Sequence, residues 1–139
     1  MTTRESRRAL LDTSVLIDFP ARQVADVAEE VAVSAVTIGE LSYGVGAARD
    51  PITQMYRHQR VQAILDRFEV LSFDVATAEY YGALANLVRQ NGRKPRPRRM
   101  DLQIAATAAR YGLTLLTRNG SDFTGLESAV KVIDMAEHL

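Results

Sequence analysis

Five short apolar runs, held apart by segments of helical character, constrain this chain more than any other feature. They are ALL at 9–11, VAVSAV at 31–36, VLSF at 70–73, LTLLT at 113–117 and AVKVID at 129–134. Runs this short and predominantly apolar read as buried strands, and the helices between them imply parallel neighbours in a sheet covered on both faces. The sequence predicts strands at Ala9–Asp12, Val31–Val36, Val70–Phe73, Leu113–Thr117 and Ala129–Asp134. Helices are predicted at Thr13–Phe19, ahead of Pro20, at Val24–Glu30, at Thr37–Arg49 and from Pro51 to about Phe68. Proline is favoured in a first turn. Asp74 is placed to cap a helix that carries Val75, Ala78, Tyr81, Ala85 and Val88 near helical spacing and ends near Gly92. A last helix, opened by Asp101, stops at Gly112. The expected fold is α/β: a three-layer α/β/α sandwich around a mainly parallel sheet.

At 139 residues the chain is sized for one domain, expected over 9–139 behind a loose arm at 1–8. Cysteine is absent, which excludes disulfides, thiolate nucleophiles and zinc–cysteine sites. The two histidines, His58 and His138, match no ligand spacing, and His58 in TQMYRHQR reads as a solvated helix residue. No apolar stretch approaches the length of a membrane span and no signal-peptide pattern opens the chain, so a cytoplasmic protein is expected.

Four acids lie where the apolar runs give way to helices: Asp12, Glu40, Asp101 and Asp122. Chemistry in a parallel sheet collects outside the carboxyl ends of the strands. Carboxylates gathered there from distant parts of the chain repel one another unless cations hold them, and oxygen donors of this kind suit Mg²⁺ or Mn²⁺. Each acid also has a local explanation. Asp12 can cap the next helix, Thr37 and Glu40 fit a capping box, Asp101 can offset a helix dipole, and Asp122 can cap a turn. Glu29, Glu30, Asp66 and Glu69 read as solvent-facing. Ala105 and Ala108, on the Asp101 face, permit a close approach of helix to sheet.

Net charge is zero, 17 basic against 17 acidic residues, so overall charge says nothing for nucleic acid. Distribution says more. Arg89, Arg93, Lys94, Arg96, Arg98 and Arg99 form a block without an acid, through which Pro95 and Pro97 forbid regular helix. It reads either as a solvated loop or as a basic arm that neutralises phosphates beside Asp101.

The blocks LLDTSVLID, VAVSAVTIGELSYGV, MDLQIAATAARYGLTLLTRN and SDFTGL resemble those of PIN-domain ribonucleases, specifically VapC-type toxins of bacterial toxin–antitoxin pairs. The resemblance covers Leu10 to about Ile133. It implies that Asp12, Glu40, Asp101 and Asp122 are the family's acids, and that Asn119 adds a ligand or positions a water. Thr13 and Ser14 would be supporting hydroxyls. It further implies Mg²⁺- or Mn²⁺-dependent hydrolysis of RNA phosphodiester bonds, a homodimer, and a cognate VapB-type antitoxin whose tail fills the groove. The basic block would add Arg93, Lys94, Arg96, Arg98 and Arg99 as RNA contacts. The dense GRKPRPRR stretch and the leader depart from the usual pattern.

A carboxylate-held cation would lower the pKa of water and polarise a phosphoryl oxygen. With no histidine in the constellation, a histidine-driven cleavage is disfavoured. Two other classes compete. A haloacid-dehalogenase-type phosphatase would use Asp12 as nucleophile but expects a second Asp where Ser14 stands. A non-catalytic RNA- or protein-binding module on the same fold gains nothing from four clustered like charges.

Overall fold

The computed structural model describes residues 7–138. Five parallel strands form its sheet: β1 (Arg8–Leu11), β2 (Glu30–Ser34), β3 (Glu69–Leu71), β4 (Thr114–Thr117) and β5 (Val132–Asp134), in the order β3-β2-β1-β4-β5. Six helices accompany them: α1 (Thr13–Leu16), α2 (Ala21–Val27), α3 (Ala35–Ala47), α4 (Pro51–Arg67), α5 (Val75–Gln90) and α6 (Arg99–Tyr111). The expected α/β sandwich is the fold observed.

The inner stretches of β1, β2 and β4 are apolar because both of their faces are covered. Leu10, Ala32 and Leu115 pack on one side with Leu84 and Val88 of α5 and Leu102, Ala105 and Ala108 of α6. Their neighbours Ala9, Leu11, Val33 and Leu116 point the other way, onto Val15 and Leu16 of α1, Val24 of α2 and Val61 and Ile64 of α4. Adjacent strand residues thus serve opposite layers. Gly112, at φ 67°, takes the left-handed position that closes α6, and Leu113 N–H turns back to the Ala108 carbonyl. Asp74 caps α5 by accepting the Thr77 N–H at 2.9 Å, as expected, and Asp50 does the same for α4 through Thr53 at 2.8 Å.

Several boundaries differ from the sequence reading. Strand β2 ends at Ser34, not Val36, because the Ser34 hydroxyl accepts the Val36 N–H and starts α3 two residues early. Glu40 is therefore inside α3, and the capping box that was its alternative explanation does not form, since Ser34 is the N-cap. Helix α1 stops at Leu16 rather than Phe19, and Asp18 follows at a left-handed φ of 58°. Helix α2 starts earlier and ends at Val27, since Glu30 pairs with Arg8 in the sheet. Strand β3 is shifted to 69–71, and β4 begins at Thr114. Strand β5 is three residues long, because Val130 N–H is still bonded to the Leu126 carbonyl in the preceding turn. Of the expected arm, residues 1–6 lie outside the described residues; Arg8 belongs to β1, and the Arg7 carbonyl accepts the Glu29 N–H at 2.9 Å.

The strand order has one consequence for the site. After β1 the chain moves outward to β2 and β3, then returns to place β4 on the other side of β1. Connections diverge between β1 and β4, which opens a crevice at their carboxyl ends.

Candidate active site

Asp12 follows β1 directly at that crevice, with its N–H bonded to the Leu116 carbonyl at 2.8 Å. It is a buried carboxylate, 6% exposed. A buried carboxylate needs donors, and two hydroxyls supply them: Ser14 Oγ and Thr117 Oγ1 each donate to Asp12 Oδ2 at 2.8 Å. Asp12 heads α1 without making a side-chain cap, so the capping explanation for it does not hold. Glu40 reaches the same corner from α3, where Thr13 Oγ1 donates to Glu40 Oε1 at 2.7 Å and lies 3.2 Å from Thr37 Oγ1. Thr13 and Ser14, expected as supporting hydroxyls, hydrogen-bond Glu40 and Asp12 respectively.

Asp101 stands in the first turn of α6, third in the helix rather than at its opening. Among the described residues its carboxylate accepts no hydrogen bond. Burial, then the negative charges of Asp122, Asp12 and Glu40, push its carboxyl up to about 6, against the opposing pull of Arg98. That single group registers all three other acids. Asp122 lies in the turn Gly120–Phe123 after β4, with its N–H on the Asn119 carbonyl. The four sequence-predicted acids therefore converge electrostatically on one crevice. Among the described residues, however, no three His, Cys, Asp or Glu side chains close into a ready ion cage. The two findings are compatible, because Coulombic repulsion reaches further than a metal–oxygen bond and hydroxyls hold Asp12 and Glu40 where they are. Four carboxylates, one of them raised in pKa by burial and then by the charges of the other three, are oxygen donors of the kind a hard divalent cation takes.

Two contributors were not singled out in the sequence. Thr117, fully buried at the end of β4, donates to Asp12 and accepts the Asn119 N–H at 3.0 Å. Its hydroxyl ties the first acid to the loop that carries the fourth. The signal available was its place at the end of an apolar run, beside Arg118-Asn119. Asp134, the last residue of β5, accepts the Gly120 N–H at 3.0 Å and anchors the same loop; a Cβ on Gly120 would meet Asp134 Oδ2 at 2.8 Å. Asn119 has an exposed side chain, and its backbone makes the contacts seen here.

The basic block is more structured than a loop. Arg96–Arg98 form one 3-10 turn that runs into α6 at Arg99. Arg96, Pro97, Arg99, Met100 and Gln103 line an open groove of about 380 Å³ on the outside of this turn. Arg98 points the other way, toward Asp122. Arg93 and Lys94 are exposed. His58 is exposed on α4, a helix that carries none of the four acids. His138 lies in the terminal 3-10 turn. Among the described residues no helix is long and apolar enough to cross a membrane.

Residues 9–127, a stretch that takes in all four acids, match the PIN domain. The chain belongs to the PIN domain family. This PIN domain is 38% identical over 116 residues to ribonuclease VapC4 of Mycobacterium tuberculosis, covering 81% of this chain and 87% of that relative. It is 31% identical over 133 residues to toxin FitB of Neisseria gonorrhoeae, covering 87% of this chain and 94% of FitB. Its fold superposes on a crystal structure of VapBC-5 from M. tuberculosis, a member of the VapBC family of toxin–antitoxin systems. The TM-score is 0.76 at 32% identity, over 91% of this chain and 96% of the other. The VapC-type resemblance of the sequence blocks and the fold agree.

Proposed function

We propose that this PIN domain is a divalent-metal-dependent endoribonuclease that acts as the toxin of a toxin–antitoxin pair. The observation that carries the reading is the position of Asp101, half buried at the switch point with three other acids bearing on it. A cluster of that kind costs stability, and a purely structural protein has no use for it.

Asp12, Glu40, Asp101 and Asp122 would hold Mg²⁺ or Mn²⁺, with Asn119 as a further candidate. When bound, such an ion offsets charge on the phosphoryl oxygens and makes water a better nucleophile. The chain's own residues do the rest. Ser14 and Thr117 both donate to Oδ2 of Asp12, which among the described residues leaves Oδ1 free of hydroxyl contacts and fixes the carboxylate's orientation. Thr13 does the same for Glu40. The groove beside α6, with Arg96 and Arg99 at its walls, would carry backbone phosphates on either side of the scissile bond. Arg93 and Lys94 extend that positive edge. A small VapB-type antitoxin, with a basic side chain reaching the four acids, would complete the pair, and a homodimer is the expected assembly of the toxin itself.

The test is incubation of the purified, partner-free chain with total cellular RNA, with Mg²⁺ or with EDTA, mapping new ends. Discrete Mg²⁺-dependent cuts are expected, absent with Asp101→Asn. Intact RNA from a folded protein that shows a metal-induced thermal shift would favour the non-catalytic module.

A further inference from the structure

The basic block divides at its centre. Arg96 and Arg99 face the outer groove, and neither makes an ion pair among the described residues. Arg98 turns inward: its Nη1 donates to the Asp122 main-chain carbonyl at 2.8 Å and lies 3.5 Å from Asp122 Oδ1. The pair is partly enclosed, with side-chain exposures of 33% and 41%. Arg98 is covalently continuous with α6, which carries Asp101, whereas Asp122 sits on the turn after β4. One guanidinium therefore joins the elements that bear the third and fourth acids. Among the described residues no other cation pairs with any of the four.

We propose that Arg98 is a positioning residue and the built-in counter-ion of the acid cluster, exchanging its hold on the Asp122 carboxylate for that of a divalent cation. This rests on the metal-dependent reading above. Arg98 is thereby distinguished from its neighbours in the block, whose charges face RNA.

Four carboxylates crowd one crevice, so a fixed positive charge there lowers their mutual repulsion. A guanidinium supplies that charge without being able to ligate a metal, and it cannot lose its proton. A divalent ion and Arg98 then compete for the same oxygen, Asp122 Oδ1, while the shorter contact to the Asp122 carbonyl needs no release. Arg98 would keep the loop in place through the carbonyl and give up only the carboxylate.

The experiment is a Mg²⁺ titration followed by thermal unfolding of the wild type, Arg98→Ala, Arg98→Gln and Arg96→Ala. Arg98→Gln keeps a donor for the carbonyl and removes the charge, so it stays informative if the alanine variant folds poorly. In EDTA both Arg98 variants should melt below the wild type. On adding Mg²⁺ they should gain more, with a midpoint about three- to tenfold lower in concentration, the size of coupling expected between groups in contact. Arg96→Ala should follow the wild-type curve. An unchanged or weaker Mg²⁺ midpoint in Arg98→Gln would overturn the exchange. No Mg²⁺ response in any of the four proteins would remove the metal-dependent reading itself, and the exchange with it. The readout involves no RNA, so a failure of cleavage alone does not enter.

Discussion

The two halves of the acid site are built on opposite principles. Asp12 and Glu40, on the β1 and β2 side, are each engaged by hydroxyls at 2.7–2.8 Å, and Asp12 is buried almost completely. Asp101 and Asp122, on the α6 and β4 side, are only partly buried, as is Glu40, and neither is held by a hydroxyl among the described residues. Asp101 accepts no hydrogen bond among the described residues, and Asp122 has Arg98 as its cationic partner. One half is satisfied by the protein and the other holds repulsion in reserve. Hydrogen-bonded carboxylates stabilise the fold they sit in, whereas crowded ones lower its stability until a cation arrives.

Removing one acid from each half should break the symmetry between activity and stability. Asp12→Ala and Asp101→Asn should both lower RNA cleavage by about a thousandfold or more, the several kcal/mol expected of a metal-held transition state. In metal-free buffer their stabilities should move oppositely. Asp12→Ala leaves the Ser14 and Thr117 hydroxyls without their acceptor, which costs about 1–3 kcal/mol. Asp101→Asn removes a penalty. The Asp101 carboxyl is raised from 3.8 to about 6, so the folded chain holds that proton more tightly than the unfolded chain between those values. Its contribution to stability therefore falls as pH rises through the window and is fully unfavourable above it. For a half-exposed, solvent-screened group this is about 1 kcal/mol at pH 7, or about 3–5 °C in Tm. The gain in Asp101→Asn should vanish near pH 4. Equal melting temperatures for Asp101→Asn and wild type at pH 7 in EDTA would remove the contrast between the halves.

A smaller effect should come from Thr117, which belongs to the satisfied half yet reaches the other through Asn119. Thr117→Val keeps the shape and deletes the donor to Asp12 as well as the acceptor for the Asn119 N–H. Mg²⁺ affinity, read from thermal shifts, should fall about tenfold, in the range measured when the supports of metal ligands are removed. Thr117→Ser should recover most of it. Full Mg²⁺ affinity in the valine variant would mean that Ser14 alone orients Asp12.

The same contrast explains how far the sequence could be read. Strands buried on both faces leave an unambiguous apolar run, so β1, β2 and β4 and the acids near them were legible. Boundaries failed where a side chain overrode the run: Val36 continues the apolar pattern, but the Ser34 hydroxyl has already turned the chain into α3. Thr117 reads as one more strand residue, because nothing in a sequence says which hydroxyl faces a carboxylate 105 positions away. Arg98 is the sharpest case. Within RKPRPRR every arginine carries the same charge, and only the 3-10 turn at Arg96–Arg98 decides that one of them points inward.

That division yields the smallest expected effect and the finest test of the arm. Arg96→Ala with Arg99→Ala should weaken binding of single-stranded RNA and flatten the dependence of log affinity on log salt by about 0.7 for each phosphate no longer neutralised. Mg²⁺-induced stabilisation should be unchanged, because neither side chain is paired with an acid among the described residues. The measurement is fluorescence anisotropy in an Asp101→Asn background, where RNA is not consumed. Weakening spread uniformly over RNA sequences would assign the groove to backbone phosphates. Weakening confined to particular sequences would instead mean that Arg96 or Arg99 reads base edges. No change in affinity or slope would return Arg96 and Arg99 to the solvated surface and leave Arg98 as the block's one cation paired with an acid among the described residues.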